Sequence, residues 1–255
     1  MKTKILLLFA LVAVKAEAQL KPVSYSDGNQ KLNGYVVVPK KASAAKPGIL
    51  VLPAWKGIDD HAKDSAQKLA DMGYYAFVAD IYGEGNDPSD NKSAGEKSGH
   101  YKKNYVEYQR RIRLALDQLV KSGAAADNIG MIGYCFGGTG VLEAARAGMP
   151  VKGVVSFHGG LGKDASRATN PIKTKILVCH GADEIYVPKE EVDAFQKEMR
   201  DSNADWQMIY YANAVHSFTD PDAGSDKSTG AAYNALAARR SWEHMKLFFD
   251  EVLKK

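Results

Sequence analysis

With 255 residues, 45% of them hydrophobic and 25% charged, the chain can bury the core of one large domain and is neither disordered nor fibrous. Its 34 Lys and Arg against 30 Asp and Glu leave a net charge of only +4, scattered with nothing denser than pairs such as Arg239-Arg240, which argues against a nucleic-acid partner. Two cysteines exclude a disulfide scaffold and a Cys-rich zinc site.

Lys2 and Lys4 precede ten apolar residues, Ile5–Val14. A bilayer-spanning helix needs about 20, so this run suits the apolar stretch of a secretory signal instead. Ala16-Glu17-Ala18 supplies a small-residue cleavage site, which predicts a signal peptide over 1–18 and a mature domain over 19–255. Cleavage would take the net charge from +4 to +2, by loss of three lysines and one glutamate. No Cys follows the apolar run to carry a lipid, and no later segment is apolar enough to span a membrane. The expected product is exported, periplasmic or secreted, and does not engage the membrane once cleaved.

Apolar runs then alternate with helical patterns. Leu32–Val38, Gly48–Leu52 and Tyr75–Ala79 read as strands, with a helix over Asp60–Met72 that carries Ala62, Ala66, Leu69 and Ala70 near one face. Gly83–His100, rich in Gly, Asp, Ser, Asn and Lys, reads as a long surface loop that could act as a lid. Tyr105, Tyr108, Ile112, Leu116 and Leu119 recur with helical spacing and predict a helix over Asn104–Lys121. Further strands are expected at Ile129–Tyr134, Gly153–Phe157, Ile176–Cys179 and Trp206–Tyr211. Helices are expected at Gly138–Ala147, Pro188–Arg200 and Ala232–Leu253. Continuous apolar strands alternating with helices imply an α/β domain, a mostly parallel central sheet covered on both faces.

The most informative segment runs from Ile129 to Gly138. A strand ends in Gly133-Tyr134-Cys135-Phe136-Gly137-Gly138 and passes into a small-residue helix. This is the pattern of a nucleophile elbow with Cys in place of Ser. A strand turning sharply into a helix strains its apex residue, and the positions two before and two after must lack bulk so that the chain can pass. The apex side chain then stands at the C-terminal edge of the sheet, where open α/β folds place their sites. A cysteine there meets a helix N-terminus, which favours the thiolate. The N–H of Phe136 would face a developing oxyanion. A Cys135–Cys179 disulfide is disfavoured: if strands follow chain order, Gly153–Phe157 lies between them, and roughly 9–10 Å across two strand spacings is too far.

A nucleophile needs a base, and the base needs an acid to hold it. Asp183 and Glu184 follow the strand that ends near His180, and His216 lies just past Trp206–Tyr211. The order nucleophile, acid, histidine is that of α/β-hydrolases. Of six histidines, His61, His100 and His244 read as surface residues, His158 and His180 as polar residues at strand ends that could line a pocket, and His216 as the base.

Together these segments resemble the dienelactone hydrolase family of the α/β-hydrolase fold, from Pro47 to Leu253. The likeness rests on Gly48–Leu52, Gly57 with Asp60, Asp80-Ile-Tyr-Gly83, Gly133–Gly138, Phe157-His158-Gly159-Gly160, Gly181–Pro188 and Ala214–Phe218. The resemblance implies a cofactor-free hydrolase of small-molecule esters, lactones or thioesters. It assigns Cys135 as nucleophile, His216 as base, and the N–H groups of Phe136 and Trp55 as oxyanion donors. Counting from Gly181 puts Glu184 at the acid position, with Asp183 one residue early as the alternative. Ala54, Tyr82, His158 and Phe218 fall where the family's substrate pocket is expected.

Three positions depart from the family. Ala54 stands where a Glu near the nucleophile is common. Glu84 and Asp220 stand where dienelactone-cleaving members carry two arginines that grip the substrate carboxylate. Two acids in those places would repel an anionic lactone, so dienelactone itself is not the expected substrate. The alternative reading is a catalytically weak or inactive binding protein on the same fold.

Overall fold

A computed structural model describes residues 19–254. The signal peptide expected over 1–18 lies outside the described residues. The chain opens with a hairpin of β1 (Leu20–Asp27) and β2 (Gln30–Val37). It continues through β3 (Gly48–Leu52), α1 (Asp60–Asp71), β4 (Tyr75–Val78), α2 (Asn91–Lys103), α3 (Tyr105–Lys121), β5 (Ile129–Tyr134), α4 (Phe136–Arg146) and β6 (Gly153–Phe157). β7 (Lys175–Gly181), α5 (Lys189–Asp201), β8 (Trp206–Tyr211) and α6 (Ala235–Val252) complete it.

The strands form one eight-stranded sheet in the order β1-β2-β4-β3-β5-β6-β7-β8. From β4 to β8 every pairing is parallel, while β1 and β2 join antiparallel at one edge. Strand pleating divides the core in two. Leu50, Leu52, Met131, Val154 and Val178 face α3, α4 and α5. Their neighbours Ile49, Val51, Ile132, Val155 and Leu177 face α1 and α6 on the other side. Burial on both faces is why these strands read as unbroken apolar runs.

Two elements differ in kind from the sequence expectation, beyond shifts of a few residues at element ends. β1 was not anticipated, because LKPVSYSD buries only part of one face and carries Pro22, a residue tolerated at a sheet edge. A two-residue turn pairs Asp27 with Gln30, and Gly28 takes φ +57 there. The second correction concerns 83–100, which is not one long loop. Its second half winds into α2, started by Asp90, whose carboxylate accepts from Ser93 N–H at 2.7 Å while Ser93 Oγ accepts from Asp90 N–H. Gly95 and Gly99 diluted the apolar signal, yet Ala94, Ser98 and Tyr101 are buried at helical spacing.

Candidate active site

The site grows out of the C-terminal ends of the parallel strands. β5 runs into α4 through Cys135, which takes φ 51 and ψ −111. The flanking glycines are required by contact. A Cβ on Gly133 would sit 2.0 Å from the Gly137 carbonyl oxygen, and one on Gly137 would sit 2.1 Å from that of Leu52. Helix α4 begins at Phe136, two residues earlier than expected, and Gly138 lets its first turn pack closely on Gly159.

Two loops deliver the partners. After β7, Asp183 N–H donates to the Ala214 carbonyl, tying the loop that bears Glu184 to the loop after β8. That second loop is tied in turn, with His216 N–H donating to Gly230 and Ala232 N–H donating to His216. His216 Nε2 lies 3.1 Å from Cys135 Sγ, and its Nδ1 lies 2.7 Å from Glu184 Oε2. Glu184 Oε1 accepts from Tyr186 N–H at 2.8 Å, so both carboxylate oxygens are engaged. The Glu184 side chain is 1% exposed and that of His216 12%. Asp183, the alternative acid, is exposed and contributes only its backbone to this chain of contacts.

The electrostatics follow from these neighbours. Burial pushes the Cys135 thiol up, but the hydrogen bond and charge of His216, then the Lys102 ammonium and the Phe136 N–H, outweigh it and hold the thiol below its usual range. Burial opposes the imidazolium of His216, yet Cys135 and Glu184 together raise it to about 10. The arrangement therefore favours a thiolate–imidazolium pair. Cys179 is the opposite case. It is fully buried, accepts weakly from Tyr211 O–H at 3.5 Å, and burial pushes its thiol up to about 12. The two cysteines are free, with β6 between their strands.

Several expected residues take other places. His158 is buried, its Nε2 2.8 Å from Thr219 Oγ1, with its ring 5.3 Å from that of His216. Burial holds it well below the usual histidine range, so it backs His216 as a neutral ring. Phe218 is fully buried under His158 and offers a ligand no surface. Tyr82, 3% exposed, is likewise beneath the site; its O–H donates to the Trp55 carbonyl at 2.7 Å. His180 is buried against Tyr210. Of the histidines read as surface residues only His100 is exposed. His61 packs 4.3 Å from the Tyr134 ring, and His244 Nδ1 lies 2.8 Å from Tyr211 O–H.

Ala54 is half-buried beside Trp55 and packs against the core layer that faces α1 and α6. Glu84 is spent on an ion pair with Lys31 at 3.0 Å, and Asp220 accepts from Asp222 N–H in its own turn. What sequence reasoning missed is Lys102, carried to the site by α2, its Nζ 3.8 Å from where a Cβ on Gly160 would lie. A helix reading of 91–103 would have found it. Tyr186 was also missed: its exposed ring meets His216 edge-on at 5.3 Å. Among the described residues no group of three His, Cys, Asp or Glu side chains could hold a metal ion, and no helix is long and apolar enough to cross a membrane.

Comparison with known proteins adds the lineage. The profile described as "Dienelactone hydrolase family" matches residues 32–253. The chain belongs to the dienelactone hydrolase family. Among solved structures, this family member superimposes with a TM-score of 0.88 on a dienelactone hydrolase-like promiscuous phosphotriesterase from metagenomic libraries, at 38% identity, covering 94% of this chain and 100% of that one. It is 23% identical to the "Putative carboxymethylenebutenolidase" of Yersinia pestis over 89% of this chain and 85% of the relative. It is 25% identical to the "Probable 2-oxo-3-(5-oxofuran-2-ylidene)propanoate lactonase" of a Bradyrhizobium species, over 79% and 82%. As a dienelactone hydrolase-family protein it is a hydrolase of ester type, acting on small-molecule esters or lactones.

Proposed function

We propose that the chain hydrolyses its ester or lactone through a covalent thioester on Cys135, with His216 as the proton carrier and Glu184 as the group that orients it. The observation that carries this reading is the continuous contact from Glu184 Oε2 through the imidazole to Cys135 Sγ, at 2.7 and 3.1 Å, at the N-terminus of α4. The thiolate attacks the carbonyl carbon, and the resulting oxyanion is held by the N–H groups of Phe136 and Trp55. The C–O bond to the leaving group breaks as His216 delivers its proton. Neutral His216 then takes a proton from water, the hydroxide attacks the thioester, and Cys135 departs as thiolate.

Lys102 supports the first step by favouring the thiolate that Ala54 does not oppose. Tyr186 and Ile185, 56% and 64% exposed beside Glu184, supply an apolar rim for the organic part of the substrate. Dienelactone is not the favoured substrate, since Glu84 and Asp220 cannot form the bidentate carboxylate contacts that two arginines would provide. A neutral phosphotriester is a second electrophile to try, on the strength of the phosphotriesterase relative. Export to the periplasm or beyond is proposed from Lys2, Lys4, Ile5–Val14 and Ala16-Glu17-Ala18.

Cys135→Ala tests the reading on p-nitrophenyl acetate. Turnover should fall by about 10⁴-fold or more with an unchanged circular dichroism spectrum. Retained turnover would reject the nucleophile and favour the inactive binding scaffold with adventitious hydrolysis.

A further inference from the structure

We propose that Tyr82 is the positioning residue that sets the oxyanion-binding loop at Trp55 against Phe136, an inference that rests on the cysteine-hydrolase reading above. Trp55 and Phe136 come from different parts of the chain, the loop after β3 and the start of α4, which meet where Gly137 packs on the backbone of Leu52 and Pro53. Tyr82, from the segment after β4, touches both. Its hydroxyl donates to the Trp55 carbonyl at 2.7 Å. Its ring stacks on the Phe136 ring with centroids 5.8 Å apart and planes 7° from parallel.

The loop geometry gives these contacts a consequence. The Ala54 carbonyl, in the same peptide plane as Trp55 N–H, accepts from Gly57 N–H at 3.1 Å. The next carbonyl, that of Trp55, is the one Tyr82 holds. Both peptide planes around Trp55 are thereby fixed, and its N–H has no acceptor among the described residues. On the other side, Tyr108 O–H donates to the Phe136 carbonyl at 2.9 Å and its ring lies 4.5 Å from Phe136 at 4°. The Phe136 end is thus held from α3 as well, whereas at the Trp55 end Tyr82 is the side chain that adds to the Gly57–Ala54 turn bond. Because Tyr82 is 3% exposed, its effect on a substrate passes through these peptides and not through contact. Donors fixed before the reaction stabilise a developing oxyanion without reorganising.

Tyr82→Phe removes the hydroxyl and keeps the stacked ring. With p-nitrophenyl acetate, kcat should fall about tenfold while KM stays within about twofold, a loosened donor costing less than a deleted one. Affinity for a trifluoromethyl ketone, whose adduct with Sγ carries an oxyanion, should fall by the same factor. Alkylation of Cys135 by iodoacetamide, which builds no oxyanion, should keep its wild-type rate and pH dependence. Unchanged kcat, a raised KM with kcat retained, or an equal loss in alkylation would each overturn the proposal. Turnover surviving in Cys135→Ala would instead remove the reading beneath it, which keeps the two failures apart.

Discussion

Replacing Glu184 by Gln is the sharpest perturbation of the proposed chemistry, because the side chain keeps its size and loses its charge. Gln can still accept from Tyr186 N–H through its oxygen, which turns its amide nitrogen toward His216 Nδ1. An N–H donor there forces the proton of neutral imidazole onto Nε2, aimed at Cys135 Sγ, and the ring can no longer take a proton from that side. The electrostatic part can be sized from the contact. With charge centres roughly 4 Å apart and an effective dielectric near 20, the imidazolium loses about 4 kcal/mol of attraction. The amide dipole restores a part, so kcat/KM for p-nitrophenyl acetate should fall by about 10²- to 10³-fold. The pH midpoint for iodoacetamide alkylation of Cys135 should move upward in the same variant, since a weaker imidazolium stabilises the thiolate less. Asp183→Asn is the control: its side chain is exposed and outside the chain of contacts, and activity should stay within about twofold. A larger loss in Asp183→Asn than in Glu184→Gln would refute the assignment of the acid and the argument built on it.

The remaining predictions address the pH profile, the second cysteine and the glycines. kcat/KM should rise as pH climbs through the lowered titration of Cys135 and fall as His216, raised to about 10, gives up its proton, the two limbs belonging to the coupled pair. Lys102→Met should move the acidic limb upward and slow alkylation at pH 6 by about twofold, a difference that ~1 M salt removes because Lys102 is exposed. In the native protein at pH 7 iodoacetamide should label Cys135 alone, with Cys179 reacting only after denaturation; two rapid labels would contradict its burial. Gly137→Ala should destabilise the fold by about 3 kcal/mol or more, since the clash is with backbone at Leu52. Gly99→Ala, with open space around its Cβ on α2, should stabilise by about 0.5–1 kcal/mol in urea denaturation, and a loss would argue against a helix there.

Lys102 and Glu184 show how far the sequence reached. For Glu184 the family resemblance, counting from Gly181, pointed to the acid position and left Asp183 open beside it; the structure sets Glu184 Oε2 2.7 Å from His216 Nδ1. Lys102 was not legible, because two glycines and a run of polar residues made α2 resemble a loop, and only packing of Ala94, Ser98 and Tyr101 against the domain turns that segment into a helix. The pocket residues failed for a related reason. Tyr82, His158 and Phe218 stand beside the right motifs, but motif position does not say whether a side chain meets solvent or the layer beneath it.

The sequence by itself determined the α/β alternation, the parallel core and the cysteine elbow, since each is a local pattern: unbroken apolar strands, helical spacing, and glycines that the turn sterically demands. The tertiary structure alone decided which carboxylate meets His216, that Glu84 and Asp220 are occupied elsewhere, and that a lysine and a tyrosine from distant segments bear on the elbow. Those outcomes depend on which loops are tied together across the sheet edge, a matter of long-range hydrogen bonds and burial that no short stretch of sequence encodes.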